Sequence, residues 1–168
     1  MKSKYVQYYV EGKDEKRLID VLKTELGVIR PGKVLTLNPV AEEITQLQLR
    51  TLQTGTMAVL VFDTDAGNVE ILKNNIKTLK ACKLVSETIL IPQVSNLEDE
   101  LVRSCCIRDI KELLNSKSRK EFKHDLLCVT NLKQKLQQYH FDINLFWAEE
   151  PPKPYHEMTN QSARIKLK

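Results

Sequence analysis

The strongest constraint on the fold is an unbroken apolar run from Met57 to Phe62. A strand that faces water on one side alternates apolar and polar residues, whereas this run offers no polar side. Unbroken apolar runs are typical of central strands in parallel sheets, because helices cover both faces of such sheets. The run therefore predicts a central parallel strand over residues 57–62, from which the chain emerges at Asp63-Thr64-Asp65.

The first hundred residues alternate strand and helix patterns around this run. The predicted strands are 5–10, 33–37, 57–62 and 87–91, and the predicted helices are 14–26, 41–53 and 69–81. Strand and helix in strict alternation give parallel strands joined by right-handed crossovers. The sequence thus predicts an α/β fold with a Rossmann-like, mostly parallel four-stranded sheet flanked by helices.

The pattern changes after the fourth strand. Helical periodicity continues over residues 97–104, 107–115, 119–128 and 131–138, and residues 141–147 alternate like a last strand. Three prolines follow in the C-terminal tail, which we expect to wrap the surface or fray. We therefore divide the chain into an α/β core (1–100), a basic helical extension (101–147) and a proline-containing tail (148–168).

Hydropathy and charge indicate where the protein is located and what kind of partner it binds. No stretch of the 168 residues approaches 18 apolar residues, and no apolar signal region follows the basic N-terminus, so we expect a cytoplasmic protein without a membrane partner. The net charge is +4, but residues 103–135 alone hold nine basic against four acidic residues. A basic segment beside an acidic core suits a polyanionic partner, although a lysine-rich solvated helix face would show the same pattern.

Acidic residues follow three of the predicted strands at the point where each strand ends. Glu11 follows the first strand, with Glu15 one helical turn later; Asp63 and Asp65 follow the third strand. The acidic group at residues 98–100, which begins with Glu98, follows the fourth. Carboxyl ends of parallel strands share one edge of the sheet, where ligands of open α/β sheets bind. Crowded carboxylates repel one another unless a cation neutralises them, so this edge is a predicted divalent-cation site.

A strand that ends in Glu-Gly and a later strand that ends in Asp-x-Asp, within a β/α sheet of about a hundred residues, resemble the Toprim domain. The resemblance covers residues 5–100, and the Glu11-Gly12-x-x-Glu15 spacing is similar to that of the OLD-family nucleases. It implies Mg²⁺-dependent (or Mn²⁺-dependent) cleavage of phosphodiester bonds in DNA or RNA, endonucleolytic rather than exonucleolytic. The resemblance implies that Glu11, Asp63 and Asp65 bind one metal ion. It also implies that Glu15 and Glu98 help to bind a second ion.

Two ions about 4 Å apart would clamp the attacking and leaving oxygens of an in-line displacement. A nearby cation would steady the developing charge; Lys123 and Lys120 are the first candidates and Lys13 the third. OLD-type nucleases usually carry an ATPase, for which this chain has no room, so any ATPase would be a separate protein. Phage defence is the setting that the resemblance implies.

Two other functions fit parts of the pattern. Residues 61–67 also resemble the nucleophile loop of haloacid-dehalogenase-like phosphatases, in which Asp63 would be phosphorylated and Asp65 would act as acid and base. That loop normally follows the first strand of the fold, and Glu11 would have no role there. Alternatively, the domain binds nucleic acid or a partner protein through its basic helices without catalysis, and the acids hold Mg²⁺ only as structure.

Overall fold

The computed structural model describes residue 3 and residues 5–167; residues 1, 2, 4 and 168 lie outside this description. The strands are β1 (Tyr5–Val10), β2 (Lys33–Thr36), β3 (Thr56–Asp63) and β4 (Val85–Gln93). The helices are α1 (Lys13–Asp20, continued by a π-helical turn over Val21–Glu25), α2 (Gln46–Arg50), α3 (Val69–Ala81), α4 (Leu97–Ser104), α5 (Lys111–Leu114), α6 (Arg119–Cys128) and α7 (Leu132–Gln138). A short 3-10 turn spans Ser162–Arg164.

The four strands form one parallel sheet in the order β2-β1-β3-β4. This confirms the predicted α/β fold with a four-stranded parallel sheet, flanking helices and C-terminal helices. Strand β3 lies between β1 and β4, and all eight of its residues are buried. Its apolar residues need two covered faces, and the segments packed on either side of the sheet supply both.

Two hydrophobic clusters cover the two faces of the sheet. One packs α1 and the C-terminal helices α4–α7 against alternate strand residues that include Tyr8, Val59 and Ile91. The other packs α2, α3 and part of the C-terminal tail against the intervening residues, which include Tyr9, Leu60 and Phe62. Successive strand residues therefore point into different clusters, as the period of two requires.

Strand β4 extends one residue past Pro92, where the sequence predicted its end. Proline lacks a backbone N–H and is tolerated only where a strand needs no donor on one side. Because β4 is an edge strand, Pro92 fits within it, and Gln93 becomes its last residue, paired in register with Asp63.

The predicted helix over residues 41–53 is wrong in extent, since only Gln46–Arg50 is helical. The buried amide of Asn75 on α3 donates to the carbonyl oxygens of Pro39 and Glu42 and accepts from the backbone N–H of Ile44. These bonds hold the backbone of residues 39–44 in a turn, so the helix begins only after Thr45, whose side chain caps it.

The predicted last strand over residues 141–147 is wrong. The Asp142 carboxylate accepts hydrogen bonds from the backbone N–H and side-chain amide of Asn144, and the Asp142 carbonyl accepts from the N–H of Phe146. These bonds form a turn. Phe146 and Trp147 are both buried although they are neighbours, and such a pair does not fit a strand with one exposed face.

The C-terminal tail wraps the surface rather than fraying. Tyr155 packs on Phe62 with ring centroids 5.5 Å apart, and Gln161 bonds to the backbone of Leu90 on the free edge of β4. The tail then returns to pair Lys166 with Ile29 in an isolated antiparallel bridge. None of the helices that the structure describes is both long and apolar enough to cross a membrane.

Candidate metal centre

Three carboxylates meet at the carboxyl edge of the sheet. Glu11 directly follows β1, Glu15 lies in the first turn of α1, and Asp63 ends β3. One carboxylate oxygen from each residue lies within 4.8 Å of those of the other two. Glu11 and Asp63 are 52 positions apart in the sequence, so it is the sheet topology that brings them together.

The position of Glu15 follows from the way in which α1 begins. Gly12 is the N-cap, and Glu15 lies three residues later, where a glutamate reaches back to the N-cap backbone. Its Oε2 accepts a hydrogen bond from the Gly12 N–H at 3.0 Å. This bond holds the buried Glu15 carboxylate beside the end of β1, which places it next to Glu11.

Burial and nearby negative charge raise the pKa of two of these carboxylates, Asp63 and Glu15. Burial raises the pKa of Asp63 to about 9, helped by a hydrogen bond and charge repulsion from Glu11. Burial likewise raises the pKa of Glu15 to about 7, with the charges of Glu11 and Asp14 adding to it. In the metal-free protein, burial and the neighbouring Glu11 therefore both favour the protonated form of the Asp63 carboxyl. A cation bound between the three groups would reverse this preference.

The donor set fits a hard divalent cation. Carboxylate oxygens are the ligands that Mg²⁺, Mn²⁺ and Ca²⁺ prefer, and two oxygens on opposite sides of a bound Mg²⁺ lie about 4.2 Å apart. The three oxygens lie within 4.8 Å of one another, which is compatible with that separation. The three side chains could thus hold one such ion with small rotations, and water would complete its coordination.

Asp65 and Glu98, the other two predicted ligands, lie outside this group of three. Asp65 is exposed in the loop after β3, and its Oδ2 accepts from Asn96 Nδ2 at 2.9 Å. Glu98, in the first turn of α4, forms an ion pair with Lys123 at 3.4 Å. Their ligand roles stay predictions, and among the described residues Glu15 completes the compact group with Glu11 and Asp63.

The three acids of the group at residues 98–100 differ in their surroundings. Glu98 faces Lys123, and Asp99 forms an ion pair with Arg119 at 3.1 Å. Glu100 is fully buried and accepts from the backbone N–H groups of Val94 and Trp147. Burial raises the pKa of Glu100. Glu100 thus joins α4 to the end of β4 and to the C-terminal segment, and it is not one of the three grouped carboxylates.

Helix α6 places cations beside the acidic edge. It packs against α1, and Arg17 of α1 donates to the carbonyl oxygen of Val129 just after α6. Partial burial pulls the pKa of Lys123 down, but the charge of Glu98, with those of Asp14 and Glu15, holds it above its ordinary value. Lys123 is therefore a cation close to these carboxylates, and its catalytic role stays a prediction.

The other two predicted lysines are less closely tied to the edge. Lys120 lies on α6 one turn before Lys123, and Lys13 is the first residue of α1; both are exposed. Neither forms an ion pair with any residue that the structure describes, so both side chains are available to a ligand.

Two residues at the edge were not predicted as part of the site. Burial raises the pKa of Asp14, which interacts with the charges of Lys123, Glu98 and Glu11. Gln93 donates from Nε2 to Asp63 Oδ1 at 2.7 Å. Asp14 could have been found from its spacing, since it lies three residues after Glu11. Gln93 was missed because the strand was expected to end at Pro92.

The loop after β3 is held by a glycine and a tyrosine. Gly67 has a φ of +84°, and a Cβ atom there would lie 2.3 Å from Val40 Cγ2, so the loop needs a residue without a side chain. The Tyr155 hydroxyl donates to the Ala66 carbonyl oxygen at 2.8 Å. These contacts set the path of the loop that carries Asp65.

Comparisons with protein-family models, with curated proteins and with solved structures gave no match. The functional interpretation therefore depends on the geometry of the carboxylates and their neighbours.

Proposed function

We propose that this protein is a Mg²⁺-dependent nuclease of the Toprim type that cleaves phosphodiester bonds in DNA or RNA. The observation that carries the proposal is the meeting of Glu11, Glu15 and Asp63 within 4.8 Å at the carboxyl edge of a parallel sheet. Acids at the exits of the first and third strands are what the Toprim resemblance implies.

The charges around the site support a polyanionic substrate. Lys123 and Arg119 project from α6 beside the acidic edge, and both side chains are more than half exposed. Lys120 lies on the same helix and is exposed to solvent. A nucleic acid backbone that contacts these side chains would lie next to the carboxylates, where a bound cation would face a phosphate.

Each group would have a distinct role in the proposed reaction. Mg²⁺ held by Glu11, Glu15 and Asp63 would supply a Lewis acid and lower the pKa of a bound water. Lys123, by exchanging Glu98 for a phosphate, would position the strand and offset charge that develops on its oxygens. Asp65, exposed at the rim, would contact the substrate side of the site.

The test is cleavage by the purified protein of plasmid DNA, single-stranded DNA and RNA, in Mg²⁺ or Mn²⁺ and in EDTA. We expect metal-dependent cleavage that Glu11→Gln and Asp63→Asn reduce by at least about 100-fold, since each change removes a ligand charge. Glu70→Gln, an exposed acid at the start of α3, is the matched control and should cleave like the wild type.

Two outcomes would refute the nuclease. Binding of nucleic acid that Asp63→Asn leaves intact, without cleavage of any substrate, would indicate a binding module. Trapping of beryllium fluoride on Asp63, with phosphatase activity on small phosphoesters, would indicate the haloacid-dehalogenase-like reaction instead.

A further inference from the structure

A buried chain of hydrogen bonds joins the only tryptophan to the candidate metal centre. Trp147 Nε1 donates to Gln93 Oε1 at 3.1 Å, and Gln93 Nε2 donates to Asp63 Oδ1 at 2.7 Å. Trp147 and Gln93 are each 1% exposed and Asp63 is 8% exposed. The three groups are shielded from solvent, so each partner's orientation depends on the next.

The chemistry of tryptophan fixes the direction in which these hydrogen bonds are donated. An indole N–H can only donate a hydrogen bond, so the carbonyl oxygen of Gln93 has to face Trp147. The amide NH₂ of Gln93 then has to face Asp63, where it donates to one carboxyl oxygen. A glutamine with two carboxylate partners could turn its amide either way, but Gln93 has one favourable orientation.

Trp147 is itself held firmly. Its backbone N–H donates to Glu100 at 2.9 Å, and its carbonyl oxygen accepts from Asn160 and Ser162. Its φ is +54°, in the left-handed region that residues other than glycine rarely adopt. Such a conformation persists only where the surroundings enforce it, which here means helix α4 and the C-terminal tail.

We propose that Gln93 is a positioning residue for the metal centre, which aims the Asp63 carboxylate at the ion and takes its own orientation from Trp147. This inference rests on the metal-binding part of the proposed function but not on nuclease activity. Groups that orient metal ligands through hydrogen bonds typically change metal affinity by about 10- to 100-fold when they are removed. Gln93 is such a group for Asp63, because the hydrogen bond that it donates holds one carboxyl oxygen in place.

The test is Mn²⁺ affinity, measured by calorimetry and by the electron paramagnetic resonance signal of free Mn²⁺, on wild type, Gln93→Met and Gln161→Met. Methionine has a similar length but donates no hydrogen bond. Gln161 is the matched control because it also bonds to β4, through Leu90, but has no link to Asp63. We expect Gln93→Met to bind Mn²⁺ about 10- to 100-fold more weakly, and Gln161→Met to bind like the wild type.

A second measurement, by NMR, reports on the hydrogen bonds between Trp147, Gln93 and Asp63. The single tryptophan gives one indole ¹H–¹⁵N cross-peak, which should move when MgCl₂ is added to the wild type. In Gln93→Met this movement should disappear, because the link between Trp147 and Asp63 is lost. Should Gln93→Met fail to fold, Gln93→Asn replaces it, since the shorter amide cannot reach both partners.

The failures of this inference and of the proposed function are distinguishable. Wild type that binds no Mn²⁺ refutes the proposed metal site and the inference together. Wild type that binds Mn²⁺ while Gln93→Met binds it equally well refutes the role of Gln93 alone. Equal weakening in Gln93→Met and Gln161→Met also refutes that role, because general loosening of β4 would then explain the loss.

Discussion

Replacing Glu15 with glutamine is expected to stabilise the metal-free protein while weakening its response to metal. Burial, followed by the charges of Glu11 and Asp14, raises the pKa of Glu15 from 4.5 to about 7. Each tenfold change in proton affinity corresponds to about 1.4 kcal/mol. The ionised Glu15 therefore costs the folded state on the order of 3 kcal/mol, which glutamine avoids while its side-chain oxygen still accepts from the Gly12 N–H.

The pH dependence has a defined sign. The unfolded chain ionises Glu15 near pH 4.5 and the folded protein only near pH 7, so the cost is absent below about pH 4 and complete above about pH 7. Urea unfolding in EDTA should therefore show Glu15→Gln to be about 3 kcal/mol more stable than the wild type at pH 8, but less than about 1 kcal/mol more stable at pH 5. At pH 8 the melting temperature should rise by roughly 6–12 °C.

The metal arm of the same experiment should cancel most of this difference in stability. At a Mn²⁺ concentration of about 100 times its Kd, the wild type should gain about 2.7 kcal/mol. Glu15→Gln, which lacks one ligand charge, should gain much less. Glu25→Gln, an exposed glutamate in the turn after α1, is the control and should change stability by less than about 0.5 kcal/mol. A Glu15→Gln variant whose added stability is the same at pH 5 as at pH 8 would refute the reasoning.

Three further substitutions test the surroundings of the site. Lys123→Ala should weaken nucleic acid binding and reduce the slope of log K against log [salt] by about 1 in fluorescence anisotropy titrations, and an unchanged slope would place Lys123 off the substrate path. Gly67→Ala should lower the free energy of unfolding by about 1–3 kcal/mol, because its φ is +84° and the new methyl group would overlap Val40; stability equal to the wild type would show that the loop relaxes freely. Asn75→Ala should cost about 3 kcal/mol in urea unfolding, since three hydrogen bonds are lost, two of them buried and one partly buried, and a cost below about 1 kcal/mol would mean that water replaces them.

The pattern of residue types was sufficient to predict the sheet and two of its acidic exits. The apolar run at residues 57–62 required a covered strand, and parallel strands present their carboxyl ends at one edge, so Glu11 and Asp63 had to approach each other. Glu15 followed from local geometry as well, because one helical turn separates it from Glu11. These inferences needed only periodicity and the rule that connects it to topology.

Contacts between distant segments explain what the pattern could not predict. The start of α2 depends on the amide of Asn75, which lies some thirty residues later in the chain. The direction of Asp65 depends on its hydrogen bond to Asn96 and on the loop that Gly67 allows. Gln93 acquires a role only through Trp147, another fifty-four positions along the chain. A strand or helix pattern contains no information on such pairings, because each depends on the completed fold.

Charge compensation decides which acids at this edge most need a metal ion. Glu98 already faces Lys123, whereas none of Glu11, Glu15 and Asp63 forms an ion pair with any residue that the structure describes. Two ionised carboxylates whose oxygens lie within 4.8 Å of each other repel by at least on the order of 3 kcal/mol at an effective dielectric constant of about 20. Protonation relieves that repulsion without metal, and a divalent cation would relieve it more fully. We therefore expect the first ion to enter among these three groups, and Glu98 to become free for a second only after Lys123 has turned to a phosphate.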